Sequence, residues 1–134
     1  MKTSMVFVVA ALTLAGCQQG GVGASFTSNI VTTPTKPQKL NFASSLHPDC
    51  TAYGPIEMRV LTQPTNGSVR VNQTQDYPRY LSGNQRYHCN TKRVPGVLVV
   101  YTPRNGFVGQ DTVVTETFYP TGTSRRNTFN ILVR

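Results

Sequence analysis

The sequence predicts an all-β protein, an antiparallel β-sandwich of about six or seven short strands that follows a disordered linker. Short runs rich in β-branched residues recur after residue 37, and Pro, Gly and Asn separate them. No stretch in that part of the sequence has apolar residues at helical spacing. The predicted strands cover residues 38–43, 56–62, 68–72, 97–102, 112–119 and 128–133.

Strand and turn patterns alternate along these residues. Residues 69–72 alternate apolar and polar side chains, as a half-buried strand does, whereas residues 97–101 are apolar on both faces and indicate a central strand. The Asn-Gly pairs at 66–67 and 105–106 favour tight turns, because both residue types tolerate positive φ. The segment 73–95 has neither pattern and is predicted to be a long, polar, Tyr-rich loop.

The N-terminal segment carries an export signal. Lys2 precedes an apolar run of ten residues at 5–14, which is shorter than the roughly 20 residues that span a bilayer. The sequence LAGC, which ends at Cys17, resembles the lipobox of bacterial lipoproteins. This resemblance implies that residues 1–16 are a cleaved signal peptide. It also implies diacylglycerol on the Cys17 sulfur and an acyl chain such as palmitate on its amine, enough to anchor the protein stably to a membrane.

The remaining chain divides into a linker and one domain. Residues 17–36 are rich in Gly, Ser, Thr and Pro, a composition typical of a flexible linker that spaces a domain from the membrane. Residues 37–134 are enough for one domain with a modest core. Its two cysteines, Cys50 and Cys89, are the pair left once Cys17 is lipidated. In an exported domain this pair predicts a disulfide, which would stabilise the fold by roughly 3–4 kcal/mol.

Composition and charge restrict the classes of partner. Only 13% of the residues are charged, and without Lys2 the chain has 12 Lys and Arg against 5 Asp and Glu, a net charge of +7. No run of five or more basic residues occurs, and we expect no nucleic acid partner for an exported protein. Lipid head groups, an envelope protein or an anionic envelope polymer fit the positive charge. The alternative is a solvated basic surface without a specific partner.

Two segments resemble the bacterial Ig-like, cadherin-like repeat. The sequences QPTNGSV at 63–69 and VYTPRNGFVGQDT at 100–112 match its P-x-N-G-x-V and Y-x-P-x-x-G-F-x-G-x-D patterns. The resemblance covers about residues 61–133. It implies an Ig-like sandwich in which Phe107 packs into the core and Asp111 caps the turn before the next strand. The chain departs from that family in carrying a single copy, with a longer segment between the two motifs.

The sequence gives little support for a metal site or a catalytic site. His47 and His88 neighbour the two cysteines, so a Cys₂His₂ zinc site is the alternative to the disulfide. However, His88 and Cys89 are adjacent and would point to opposite faces of a strand. The five acidic residues form neither a recognisable acid–base pair nor the cluster that calcium needs, and the sequence contains no Gly-x-Ser-x-Gly. We therefore expect no enzyme, no metal and no cofactor.

The candidate binding surface is the segment 77–87. It mixes three Tyr with two Arg, residue types that are enriched at binding hot spots. The alternative is that the tyrosines pack within the loop and the arginines face water. The candidate binding residues are Tyr77, Arg79, Tyr80, Arg86 and Tyr87.

These features predict a non-catalytic lipoprotein of the cell envelope that binds or scaffolds another envelope component, for example as an accessory subunit of a surface or secretion assembly. The alternative is an inhibitor of a cell-wall hydrolase, although positive charge disfavours binding to a basic lysozyme. Gln18 stands where, by resemblance to enteric lipoproteins, an aspartate retains proteins at the inner membrane. In a Gram-negative host we therefore expect the outer membrane, with the protein facing the periplasm or the surface.

The lipid anchor is tested by Cys17→Ser. Without the acceptor sulfur, the precursor should accumulate unprocessed and the protein should leave the detergent phase on phase separation. Immunoblotting of the two phases measures both effects. Normal processing together with detergent-phase partitioning of the variant would contradict the anchor.

Overall fold

Seven β-strands form two sheets in the computed structural model, which describes residues 23–134. The strands are β1 (Ala24–Thr32), β2 (Gln38–Ala43), β3 (Glu57–Thr62), β4 (Gly67–Asp76), β5 (Val94–Pro103), β6 (Gly109–Phe118) and β7 (Ser124–Val133), with a short 3-10 helix at Tyr87–Thr91. One sheet has the order β1-β7-β6-β3 and the other has the order β2-β5-β4. The predicted all-β sandwich is confirmed, and β2–β7 follow the strand order of an Ig-like sandwich, with β1 placed beside β7 rather than beside β2. Within residues 23–134, no helix has the length and apolar character needed to cross a bilayer.

All six predicted strands are present, and most are longer than predicted. The strand predicted at 68–72 continues to Asp76 because its polar residues stay paired with the start of β5 as far as Val94. The run 97–101 lies in β5, the central strand of its sheet, and Val97, Val99 and Tyr101 are buried. The run of residues that is apolar on both faces of the strand therefore correctly predicted a strand with neighbours on both sides.

The interpretation of residues 17–36 as a linker is wrong for residues 24–32, which form β1. This strand runs parallel to β7, with Ala24 beside Arg125 and Thr32 beside Val133, so one pair of strands departs from the predicted antiparallel pattern. Residues 24–29 are exposed and mostly polar, so backbone pairing rather than side-chain burial holds them. A strand of this kind has no apolar periodicity to reveal it. Cys17 and residues 18–22 lie outside the described residues.

The pairing registers define two ends of the sandwich. We call the end at which β1 and β7 begin the N-end and the end at which they finish the C-end. Three connections lie at the N-end, namely 44–56, 77–93 and 119–123, and three at the C-end, namely 33–37, 63–66 and 104–108. The core runs between them. Its C-end part contains Tyr101, Val113, Phe129, Ile131 and Val133, and its N-end part contains Ala43, Ile56 and Val97.

The buried carboxylate of Asp111 joins the two sheets at the C-end. It belongs to β6, yet its oxygens accept hydrogen bonds from the backbone N–H groups of Thr65 (2.8 Å) and Asn66 (2.9 Å), which precede β4. The hydroxyl of Tyr101, on β5, donates to the same carboxylate (3.0 Å). Asp111 thus caps the 63–66 turn across the sandwich, whereas the family resemblance implied a turn before the next strand. Phe107 packs against the core as expected.

Tyr101 reports on this network through its titration. Burial, followed by its hydrogen bond to the Asp111 carboxylate, raises the pKa of the Tyr101 hydroxyl well above its usual value. In the unfolded chain a tyrosine ionises near pH 10. Above that pH the unfolded state binds fewer protons than the folded state, so Tyr101 makes the folded state less stable as the pH rises.

We expect Asp111→Ala to lower the free energy of unfolding by about 3 kcal/mol, because it leaves the buried hydroxyl of Tyr101 and two partly buried backbone N–H groups without this acceptor. Tyr101→Phe should lower it by about 1–3 kcal/mol and should also flatten the loss of stability above pH 10. Urea unfolding at pH 7 and across pH 9–11 measures both. An equal alkaline slope in the wild type and in Tyr101→Phe would contradict the role given to this hydroxyl.

Candidate functional site

The 44–56 connection contains a tight turn that presents Cys50. The N–H of Cys50 donates to the carbonyl of His47 (3.0 Å), and the N–H of His47 donates to the carbonyl of Thr51 (2.8 Å). The hydroxyl (2.6 Å) and the N–H (3.0 Å) of Thr51 both donate to Asp49, and they lower the pKa of its carboxyl. Cys50 itself has a φ of 72°, in the left-handed region that side chains rarely adopt. The turn therefore holds the Cys50 backbone in one defined orientation.

The predicted disulfide between Cys50 and Cys89 is confirmed. Cys89 is fully buried in the 3-10 helix, and the bond joins the 44–56 connection to the 77–93 connection. Because the bond uses both sulfurs, neither is available as a thiolate for the zinc alternative. His88 Nε2 lies 3.8 Å from the Cys89 sulfur, whereas the ring of His47 stacks on Tyr53 with the centroids 3.6 Å apart.

Residues 77–93 pack over the outer face of the three-stranded sheet. Side chains alternate along β2, so Ala43 faces the sandwich core and Phe42 faces away from it. On that outer face Phe42 joins a separate apolar cluster. Its buried members are Leu46, Cys89 and Val94, and Cys50 and Tyr80 pack against them. The segment predicted to be an irregular loop thus has a small core of its own, which the disulfide closes.

Polar contacts fix the path of this loop. The side-chain amide of Asn90 accepts a hydrogen bond from the N–H of Tyr80 (2.8 Å) and donates one to its carbonyl oxygen (2.8 Å). Nε of Arg86 donates to the carbonyl oxygen of Leu46. These contacts satisfy backbone groups that would otherwise be left without partners as the loop folds. The side chains of Asn90 and Arg86 therefore hold the loop in place.

A groove of about 730 Å³ lies between this loop and strand β2. Six consecutive residues, 39–44, form one side, and residues 76–81 with Asn84 form the other. Tyr119 and Arg125 line the part of the groove nearest the N-end. Among residues 23–134, β2 is an edge strand whose backbone pairs with β5 alone. The groove therefore runs beside a strand that has one unpaired side.

The charged groups of the groove are mostly positive. Asp76 is its acidic side chain, and it accepts hydrogen bonds from Nζ of Lys39 (2.6 Å) and from the N–H of Tyr77 (2.9 Å), which lower the pKa of its carboxyl. Arg79 and Arg125 have no acidic partner among residues 23–134. The guanidinium of Arg125 instead lies over the ring of Phe26, 4.6 Å from its centroid. The groove therefore holds two positive groups that have no acidic partner in the described part of the chain.

The five candidate binding residues separate into two groups. Tyr77, Arg79 and Tyr80 line the groove, whereas Arg86 and Tyr87 do not. Arg86 is partly buried and ties the loop to Leu46, and Tyr87 is 52% exposed on the first residue of the 3-10 helix. Tyr80 has a double role, because it also packs on the loop's apolar cluster.

Sequence reasoning missed the opposite side of the groove. Residues 38–43 are predicted as a strand, but which strand lies at an edge depends on the sheet order, and local patterns do not determine that order. Tyr119 and Arg125 reach the groove across the gap between the two sheets. Composition marked the loop because its Tyr and Arg are concentrated in eleven residues, and no comparable signal marked β2.

Removing the disulfide should destabilise the loop and the groove together. We expect the double variant Cys50→Ser, Cys89→Ser to lose about 3–4 kcal/mol of unfolding free energy, with faster amide exchange in residues 77–93 than in β6. Urea unfolding and hydrogen exchange measure these effects. Intact mass of the thiol-blocked wild type should rise by two hydrogens on reduction, and two alkylatable thiols in the unreduced native protein would contradict the bond.

No family model, curated protein or solved structure matches this chain. The resemblance to the bacterial Ig-like repeat and to the lipobox therefore depends on the quoted residues alone. The sandwich itself is seen directly in the two sheets and their order.

Proposed function

We propose that this chain is a non-catalytic, lipid-anchored protein of the bacterial envelope that binds an extended, acidic segment of another envelope protein in the groove beside β2. One observation carries the proposal: six consecutive residues, 39–44, line the groove on the unpaired side of an edge strand. An unpaired strand edge offers a row of backbone donors and acceptors to an added strand. An extended segment is the ligand shape that uses such a row.

The loop side of the groove supports an acidic ligand. Arg79 is exposed, and neither it nor Arg125 is paired with an acidic side chain in the described part of the chain. Tyr77 is 52% exposed beside them and offers an aromatic face and a hydroxyl. A carboxylate on the ligand would gain charge-assisted hydrogen bonds from the guanidinium groups. The pinned loop also loses little conformational entropy on binding.

The same groups support binding rather than catalysis. A general acid or base works best with a pKa near the ambient pH. The carboxyl of Asp76 has a lowered pKa and is held by Lys39, so it stays ionised and occupied at neutral pH. The outer membrane remains the proposed location, through the lipid on Cys17. Inhibition of a cell-wall hydrolase remains the alternative function, and the groove does not favour it.

Removing two exposed side chains of the groove should weaken partner capture. We expect Tyr77→Ala with Arg79→Ala to lower capture at least about tenfold, which corresponds to roughly 1.4 kcal/mol. Thermal stability should stay within about 0.5 kcal/mol because both side chains are on the surface. Capture is measured with a photo-crosslinking residue at Asn41 in intact cells, followed by identification of the crosslinked peptide. Arg70→Ala with Leu61→Ala, two exposed residues outside the groove, is the matched control.

Two results would count against strand addition. A crosslinked peptide that is not acidic would remove the electrostatic argument. With the partner identified, backbone amides of residues 39–44 should exchange more slowly in the complex, and unchanged exchange there would place the contact elsewhere.

A further inference from the structure

The path of β1 brings the anchor and the candidate loops to one end of the molecule. Ala24, the first residue of β1, lies at the N-end beside Arg125. The connections 44–56, 77–93 and 119–123 also lie there. Seven residues, 17–23, link Cys17 to the strand, and each residue spans at most about 3.5 Å. The N-end therefore stays within about 25 Å of Cys17.

Exposed aromatic side chains are concentrated at this same end. Within residues 23–134, every exposed large aromatic side chain belongs to the N-end: Phe26 (46% exposed), Tyr53 (43%), Tyr77 (52%) and Tyr87 (52%). Leu81, in the loop between two of them, is 85% exposed. In the half of the sandwich that contains the C-end, the exposed large apolar side chains are all aliphatic, namely Val31, Leu61 and Val108. Amphipathic aromatic rings are the side chains that prefer the interface between a bilayer and water.

Basic side chains lie near these rings, although the C-end half also has four without an acidic partner in the described chain, namely Lys36, Arg70, Arg104 and Arg134. Three ion pairs, Lys39–Asp76, Arg59–Glu57 and Arg126–Glu116, occupy three of the four acidic side chains on the N-end half. The fourth, Asp49, is hydrogen-bonded to Thr51. Five basic side chains there lack an acidic partner in the described chain, namely Arg79, Arg86, Lys92, Arg93 and Arg125. Arg86 and Arg93 instead donate to backbone carbonyls, and Arg79 and Arg125 line the groove, so Lys92 is available to a second ligand.

From this placement we infer that the N-end is a membrane-contact surface, which seats the sandwich on a bilayer through anionic phospholipid head groups. Lys92 meets a head-group phosphate, and Tyr87 and Leu81 enter the interfacial layer. Arg79 and Arg125 stay with the acidic ligand of the groove, and Phe26 stays beneath the Arg125 guanidinium. The inference depends on the lipid anchor of the proposed function for its proximity, and it goes beyond that function by orienting the domain. The C-end, with the C-terminus, then points away from the membrane. The groove opens beside the bilayer, where an extended segment of a neighbouring membrane-anchored protein would run.

The sequence permits a clean test because it contains no Trp. Tyr87→Trp places a single indole at the N-end, and Val108→Trp places one at the C-end at a similarly exposed position. Each full-length protein is purified from membranes and mixed with vesicles of phosphatidylcholine and phosphatidylglycerol that contain spin-labelled lipid. We expect the Tyr87→Trp indole to be quenched at least about twofold more than the Val108→Trp indole, and its emission to shift to shorter wavelength. In vesicles of phosphatidylcholine alone, the difference should shrink.

Separate measurements test the lipid anchor and the membrane-contact surface. Intact mass and vesicle flotation report whether Cys17 is lipidated and the protein is membrane-bound. Flotation without preferential quenching at position 87 would overturn the contact surface while leaving the anchor in place. Quenching at position 87 in a protein without lipid on Cys17 would support the surface and remove the anchor. Absence of both would overturn both.

Matched variants then test which side chains act. Leu81→Ser with Lys92→Gln removes one exposed apolar and one positive side chain from the N-end, and Leu61→Ser with Arg70→Gln removes the same kinds elsewhere. In the Tyr87→Trp background, the first pair should lower quenching in phosphatidylglycerol vesicles severalfold, and the second should leave it unchanged. Equal effects of the two pairs would overturn the assignment to the N-end.

Discussion

The carboxylate of Asp111 is the point at which the two sheets are tied. It projects from β6 into the core and accepts hydrogen bonds from Tyr101 on the facing sheet and from the backbone of the 63–66 turn, which leads into β4. A carboxyl group buried in a core is tolerated only when such donors satisfy it. Its position therefore sets how β4 and β5 meet β6, and the apolar residues of both sheets pack around that arrangement. At the N-end, the Gln73 side-chain amide on β4 donates to the carbonyl oxygen of Ile56, just before β3, and a disulfide joins the 44–56 and 77–93 connections.

This division explains why the two ends differ. At the C-end the connections are short, and the shared carboxylate holds the 63–66 turn, so little surface is left to vary. At the N-end the 77–93 segment lies outside the sandwich and needs its own apolar cluster, its own polar contacts and the Cys50–Cys89 bond. An addition stabilised independently of the core can carry binding residues without disturbing the fold. The rigid sandwich then serves as the scaffold that places β2 opposite the loop.

Local patterns predicted the fold well because burial and turn chemistry are local properties of the chain. The doubly apolar run in β5 identified a central strand, and the cysteine pair left after Cys17 identified the disulfide. Patterns failed where pairing alone decides the structure: β1 is polar, exposed and parallel to β7. They also could not separate Tyr77, which is free, from Tyr80, which packs on a cluster, since composition does not show burial. The groove is formed by residues from both sheets and depends on which strand lies at the sheet edge. No single segment of the sequence therefore predicts it.

The parallel pairing of β1 with β7 also determines how the molecule carries mechanical load. If Cys17 carries the proposed lipid, a pull between that lipid and a partner bound to the body of the sandwich would be transmitted through the first residue of β1, along the axis of the strand. All nine residue pairs from Ala24–Arg125 to Thr32–Val133 are then loaded together in shear, rather than opened one after another as in the unzipping of a hairpin. Shear divides the force among many hydrogen bonds at once. An exposed strand that buries little surface can thus be a strong attachment point under tension.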